Sequence, residues 1–175
     1  MFFQNNRSAF LDWIMPKVTF LGNGGWFWIV LAICILIFTK KDKRIGWNSV
    51  LSILFAFIVC NLILKPLVNR ARPCDIWPEI ETIVNRPHDA SFPSGHTNIS
   101  FAVAVSVLLN NKKWGIPAVI LALLIGISRL YLFMHFPTDV LVGMLNGIIW
   151  AIISYLIVNW YFKKTKKPVD SFKIF

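Results

Sequence analysis

Three short runs in this sequence carry groups that could hold and cleave a phosphate ester. They are Lys65-Pro66-Leu67-Val68-Asn69-Arg70-Ala71-Arg72-Pro73, Pro93-Ser94-Gly95-His96, and Ser128-Arg129 followed by His135 and Asp139. Lys65 offers a compact point charge, and Arg72 and Arg129 offer planar two-donor forks, a set suited to phosphate oxygens. Ser94, Gly95 and His96 stand where an apolar run begins. There the free N–H groups of a helix N-terminus can bind an anion, and Gly95 permits close approach. His135 and Asp139 lie four residues apart, with Pro137 suited to the first turn of a helix between them. Asp139 can accept a hydrogen bond from one imidazole nitrogen and leave the other as a nucleophile.

Each residue alone has a blander meaning. A lone lysine at the end of an apolar run is usually an anchor at the membrane surface. A lone Ser-Gly pair is usually a turn or cap. His88 matches no pattern, and Arg70 and Arg86 read as loop or headgroup contacts. What favours chemistry is that all three runs fall on one side of the membrane once the rest of the chain is laid out.

The elements that would position them are apolar. Of 175 residues, 57% are hydrophobic and only 15% charged, against about a quarter charged in ordinary soluble domains. Five stretches, about 24–39, 47–64, 97–109, 114–132 and 140–162, come near the roughly 20 residues that cross a bilayer. They lack barrel-like alternation, so they read as helices. The third is short, and its polar start belongs at the interface or against protein. Trp26, Trp28, Trp47, Trp114, Trp150 and Trp160 fall mostly near span ends, as an aromatic belt requires. Before the first span, residues 7–21 place Phe10, Leu11, Ile14, Met15 and Val18 on one helical face. That segment reads as an interfacial helix, with a short sixth membrane segment as the alternative. The expected fold is therefore all-α: a polytopic membrane helix bundle with about five transmembrane helices, in one domain over residues 1–175. No cleavable signal peptide is visible.

Charge orients the bundle. The net charge is +10, but the basic residues form no continuous stripe, so no nucleic-acid partner is expected. Lys40, Lys41, Lys43 and Arg44 follow the first span, Lys112 and Lys113 separate the third and fourth, and Lys163, Lys164, Lys166, Lys167 and Lys173 follow the fifth. Five crossings put these clusters on one side, which the positive-inside bias makes cytoplasmic. The three polar runs then face outward. Cys34 and Cys60 sit in apolar runs and Cys74 in a polar loop, which gives no disulfide framework.

The three runs resemble the signature of the type 2 phosphatidic acid phosphatase superfamily: Lys-x6-Arg-Pro, Pro-Ser-Gly-His, and Ser-Arg-x5-His-x3-Asp. Lys65 to Pro73, Pro93 to His96 and Ser128 to Asp139 match with every spacing kept. The resemblance implies that His135 is the nucleophile, forming a phosphohistidine, with Asp139 orienting it. It implies that His96 protonates the leaving oxygen and later activates water, while Lys65, Arg72, Ser94, Gly95 and Arg129 hold the phosphoryl oxygens. It implies no cofactor and no metal, and the sequence has no compact Asp/Glu/His cluster to hold one. Many bacterial members have six spans, whereas this chain shows five and a shorter amphipathic segment. That difference touches lipid access and dimer contacts, not the signature residues.

The expected activity is removal of a terminal phosphate from a lipid phosphate or diphosphate at the outer face of a bacterial cytoplasmic membrane. Undecaprenyl diphosphate comes first among substrates, with phosphatidylglycerophosphate, phosphatidic acid and lipid A phosphates as alternatives. A vanadium-dependent haloperoxidase would share the pocket, but those enzymes resemble larger soluble proteins. A non-enzymatic lipid-binding or transport protein would need charges at mid-membrane, and the span centres carry almost none. The oligomeric state is left open.

Overall fold

The structure, a computed structural model, describes residues 2–39 and 43–165. The basic residues Lys40, Lys41, Lys166, Lys167 and Lys173 lie outside the described residues. All regular structure among those described is helical. A short α1 (Phe2–Asn5) precedes α2 (Ala9–Phe20), a tight turn (Asn23–Gly25) and α3 (Trp26–Phe38). Helix α4 (Arg44–Phe57) runs through a wider π-helical stretch (Ile58–Leu64) into α5 (Lys65–Val68), and α6 (Pro73–Ile76) follows. Three longer helices complete the chain: α7 (Gly95–Asn110), α8 (Lys112–Tyr131) and α9 (Pro137–Thr165).

Helix α7 is the centre of the bundle, packed on α9, α8 and α4. Every residue from Thr97 to Val107 is buried, which explains why this span is short and rich in small and polar residues: it faces protein on all sides. Helix α9 comes very close to it through Gly143, Gly147 and Ala151, which share one face and are buried. A Cβ at Gly147 would stand 2.4 Å from the Asn98 carbonyl oxygen, so only glycine admits this contact. Small residues at such spacing are how helices pack where water gives no driving force between them. Polar side chains add interhelical bonds. Asn98 Nδ2 donates to Ala56 O at 2.9 Å, and Asn146 Nδ2 donates to Asn98 Oδ1 at 2.8 Å, tying α4, α7 and α9 together.

These contacts give the bundle two ends. At one, Gly46 abuts Leu36, Asn48 reaches the Ser106 carbonyl at 3.4 Å, and Arg44 bonds Asn159 at 3.3 Å. Lys43, Arg44, Lys112, Lys113, Lys163 and Lys164 therefore gather at this end. At the other lie Lys65, Gly95, Arg129 and Asp139. The chain thus traverses the bundle five times, in α3, α4, α7, α8 and α9. By length and apolarity alone, three helical stretches could cross a membrane, and the bent pair α2 and α3, angled by 40°, makes a fourth. The five expected spans exceed that count because α3 has 13 residues and α7 has 16.

Helix α2 lies across the end of α8, with Tyr131 Oη donating to Asp12 Oδ1 at 2.6 Å. Leu11 and Met15 pack toward Tyr131, but Phe10 is 68% exposed, beside Trp13 and off the expected face. The expected tryptophan belt also needs correction. Trp47, Trp114 and Trp160 are exposed at the basic end, while Trp28 is fully buried in the core. Cys74 is likewise buried, against Tyr131 and Met134, and not in an open polar loop. All three cysteines are free.

Candidate active site

The two ring nitrogens of His135 face different surroundings. Its Nε2 lies 3.2 Å from Arg72 Nη1. A guanidinium can only donate, so Nε2 carries the lone pair. Its Nδ1 faces Asp139 Oδ2 at 3.6 Å and Ser91 Oγ at 3.5 Å. The ring is almost fully buried, and that burial pushes the imidazole down to about 4 against the opposing pull of Asp139. His135 is therefore neutral near pH 7, with its unprotonated nitrogen beside Arg72.

Asp139 sits in the first turn of α9 and is fully buried. Its Oδ2 accepts from Ser91 Oγ at 2.5 Å and from the Phe136 N–H at 2.9 Å, closing the start of the helix. Its Oδ1 pairs with Arg70 Nη1 at 2.9 Å, and the same nitrogen donates to Thr138 Oγ1 at 2.8 Å. Arg70 also stacks over the Phe136 ring. Arg70 is thus part of the Asp139 network and not the loop or headgroup contact its sequence position suggests. Ser91 belongs to that network too, and nothing in its sequence neighbourhood marks it.

Arg72 is 2% exposed. Its Nε donates to the Asp89 carbonyl at 2.9 Å, Nη1 to the Met134 carbonyl at 3.0 Å and Nη2 to Asp89 Oδ1 at 2.7 Å. Lys65, delivered by the π-helical stretch, ion-pairs with the other oxygen of the same carboxylate. Burial works against the Asp89 charge, but the bond and charge of Lys65, together with Arg72, hold its carboxyl down at about 2. Asp89 went unread in the sequence, where a lone acid in a loop says nothing.

Arg129, at the end of α8, is 3% exposed. Its Nη1 donates to Thr19 Oγ1 of α2 at 2.8 Å, and its Nε has no hydrogen-bond partner among the described residues. It has no carboxylate partner there either. A buried guanidinium without an acid is costly unless an anion comes to it. His96, at the start of α7, has Nε2 2.8 Å from Asn23 Oδ1.

Lys65, Arg72, Gly95, His96, Arg129 and His135 share the wall of a cavity of about 540 Å³. Ser94 and Asp139 are not in that wall. The Ser94 hydroxyl accepts from Thr97 and caps α7, and its N–H donates to the Asp139 carbonyl at 2.9 Å, so Ser94 joins α7 to α9 from behind. The first intrahelical bond of α7 runs from the Asn98 N–H to Ser94 O, which leaves the Gly95 and His96 N–H groups without helical acceptors. From this polar end the cavity continues between α3 and α4 along Ile29, Ile33, Ile53, Leu54 and Phe57. Among the described residues, no group of three His, Cys, Asp or Glu is arranged to hold a metal ion.

Set in a bundle with so apolar an outer surface, this arrangement of groups is that of a membrane phosphatase of lipid phosphates. Residues 45–163 match the PAP2 superfamily, and the chain belongs to it. It is 30% identical to the undecaprenyl-diphosphatase BcrC of Bacillus subtilis, over 95% of this chain and 92% of that protein. It is 36% identical to an undecaprenyl-diphosphatase of Sulfolobus acidocaldarius, over 88% of this chain and 72% of that one. The crystal structure of Aquifex aeolicus LpxE superposes with a TM-score of 0.75 at 30% identity, covering 87% of this chain and 90% of that chain.

Proposed function

We propose that this phosphatase removes the terminal phosphate of a lipid diphosphate, undecaprenyl diphosphate first, through a phosphohistidine on His135. The observation that carries the reading is Arg129, buried with no acid partner among the described residues, in the same cavity wall as Arg72 and His135. A phosphate at the polar end of the cavity meets these cations, and the apolar slot between α3 and α4 suits the hydrocarbon of its lipid. Two relatives named as undecaprenyl-diphosphatases support the choice of lipid.

In this reaction His135 Nε2 attacks the terminal phosphorus while Arg72, Arg129 and Lys65 take the charge of the equatorial oxygens. The bond from phosphorus to the leaving oxygen breaks, and that oxygen receives a proton from His96. Water then attacks the phosphohistidine while His96 takes the water's proton. The bond from phosphorus to His135 Nε2 breaks and returns its electron pair to that nitrogen, and inorganic phosphate departs. Asp139, with Ser91 and Arg70, holds the His135 ring with Nδ1 turned away from the substrate. The basic end of the bundle faces the cytoplasm and the cavity faces outward, because basic residues near span ends are retained inside.

The test is release of phosphate from undecaprenyl diphosphate, phosphatidylglycerophosphate, phosphatidic acid and lipid A phosphate by purified protein in excess EDTA. Undecaprenyl diphosphate should turn over fastest, and vanadate should inhibit. Loss of activity in the chelator, restored by Mg²⁺, would overturn the metal-free mechanism.

Asp89 leads to a second expected result. Its carboxylate engages Lys65 and Arg72, so a substrate phosphate competes with it for both cations. Asp89→Asn should tighten competitive inhibition by vanadate or phosphate roughly tenfold, a change of about 1.4 kcal/mol. Weaker inhibition in the variant would mean that Asp89 positions the cations and does not compete with the ligand.

A further inference from the structure

The turn between α2 and α3 has a composition that its geometry explains only in part. Gly24 and Gly25 have φ of +57° and +71°, which glycine adopts freely. Gly22 has an ordinary backbone, yet a Cβ there would stand 2.7 Å from Cδ2 of His96 and 3.0 Å from Cγ2 of Ile125. The ring of His96 thus stands directly against this glycine. The one side chain among these four residues, Asn23, reaches His96 Nε2 at 2.8 Å and makes no other hydrogen bond among the described residues. Asn23 also lines a second cavity, of about 440 Å³, whose wall shares His96 and Arg129 with the first. Asn23 is in the wall of the second cavity and not of the first, whereas Gly22, Gly24 and Gly25 line the first.

We propose that Asn23 is a positioning residue for proton transfer, holding the His96 ring by accepting a hydrogen bond from its Nε2. An amide oxygen can only accept, so Nε2 carries a proton and Nδ1 is the nitrogen that exchanges one with the reacting oxygens. Nδ1 has no hydrogen-bond partner among the described residues. His96 enters the first step as the imidazolium, its second proton brought in with the phosphate. His135 Nε2 bonds to phosphorus, the bond to the leaving oxygen breaks, the Nδ1 proton of His96 passes to that oxygen, and the His96 ring is left neutral with Nε2–H. In the second, Nδ1 takes a proton from the attacking water. Throughout, Nε2–H stays on Asn23, so the ring neither rotates nor changes which nitrogen works. Asn23 lies outside residues 45–163, the part of the chain that matches the superfamily, so the device belongs to the N-terminal turn and not to the signature. The proposal rests on His96 being the proton donor.

The experiment compares two esters in the first turnover, where only leaving-group departure is read. One is dioctanoyl phosphatidic acid, whose alkoxide leaves poorly without a proton; the other is p-nitrophenyl phosphate, whose phenolate leaves without help. General acid catalysis contributes roughly 10²–10⁴-fold where it is needed. Asn23→Ala should therefore slow release from the alkyl ester by about 10-fold or more and from the nitrophenyl ester by less than about 3-fold. Asn23→Asp keeps an acceptor oxygen at the same place and should restore most of the alkyl-ester rate. Asn23 is exposed and its side chain has a single partner among the described residues, so thermal stability in detergent should not change. Equal losses on both esters, or no loss on either, overturn the proposal. His96→Ala separates this from the reading beneath it. If His96→Ala splits the two esters and Asn23→Ala does not, the proposal falls and the donor assignment stands. If His96→Ala slows both esters equally, the donor assignment fails and takes the proposal with it.

Discussion

Replacing His135 by glutamine or alanine should lower turnover by on the order of 10⁵-fold, the scale on which removal of a nucleophile acts in other covalent enzymes. The reason lies in how the ring is held. Arg72 fixes Nε2 as the lone-pair nitrogen, while Ser91 and Asp139 face Nδ1. Burial holds the imidazole down at about 4, so it stays unprotonated as pH falls through the usual histidine range near 6.5. This group should begin to fail only near pH 4, where protonation consumes the lone pair. The intermediate offers a direct check. A phosphorus–nitrogen bond survives an alkaline quench and is lost in acid. Labelled lipid phosphate should therefore leave an alkali-stable, acid-labile phosphoenzyme on the wild type and none on either His135 variant. His96→Ala should accumulate that species from a substrate whose leaving group departs without a proton, because the group that activates water is gone. Near-wild-type turnover in His135→Gln, with the label still bound, would remove His135 from the reaction. His135 is buried, so the glutamine variant, which keeps a polar side chain there, guards against loss of activity through unfolding alone.

The signature residues were legible because parity does much of the work. Lys65, Gly95, Arg129 and Asp139 each stand at the end of an apolar run, and a chain that alternates direction brings those ends together. The helices were legible for the same reason, since a run of apolar residues in lipid has to satisfy its own backbone. The supporting groups escaped because no period marks them. Asp89 and Ser91 act through an irregular loop, where one residue of displacement would point them elsewhere. Arg70 stands two residues from Arg72 and reads as a spare charge until the fold swings it onto Asp139 at 2.9 Å. Thr19 and Asn23 come from the N-terminal segment, whose apolar pattern describes its packing and says nothing of its two contacts to the site. Span length is a weak guide to α7 and α3 because it measures a helix facing lipid. Helix α7 faces protein from Thr97 to Val107, and α3 gains its reach only by continuing from α2. Gly143 and Gly147 stand four apart in the sequence, but nothing there shows their role, which depends on the partner helix lying against them.

Arg129→Lys should cost on the order of 10²–10³ in kcat, comparable to the loss of one donor that stabilises developing negative charge. Arg72 would lose as much, but its change is the less informative. Arg72 holds the carbonyls of Asp89 and Met134 as well as the Asp89 carboxylate, so lysine there would also loosen the loop. Arg129 has a simpler task. One of its nitrogens is committed to Thr19 at 2.8 Å, and Nε is without a partner among the described residues. A planar fork can keep the Thr19 bond and still present donors to a phosphate. Lysine brings a single nitrogen, which must choose between Thr19 and the substrate, and it concentrates the charge where the guanidinium spreads it. The loss should therefore appear mainly in kcat, with a smaller rise in KM, since the charge that attracts the ground-state phosphate is retained. Thr19→Val distinguishes the two duties. It removes the anchor and keeps the fork, so it should cost far less than Arg129→Lys, and adding it to Arg129→Lys should recover part of the lost rate by freeing the ammonium for the phosphate. Equal kcat in wild type and Arg129→Lys would reduce Arg129 to a source of positive potential, with no part in the geometry of the transferred phosphoryl group.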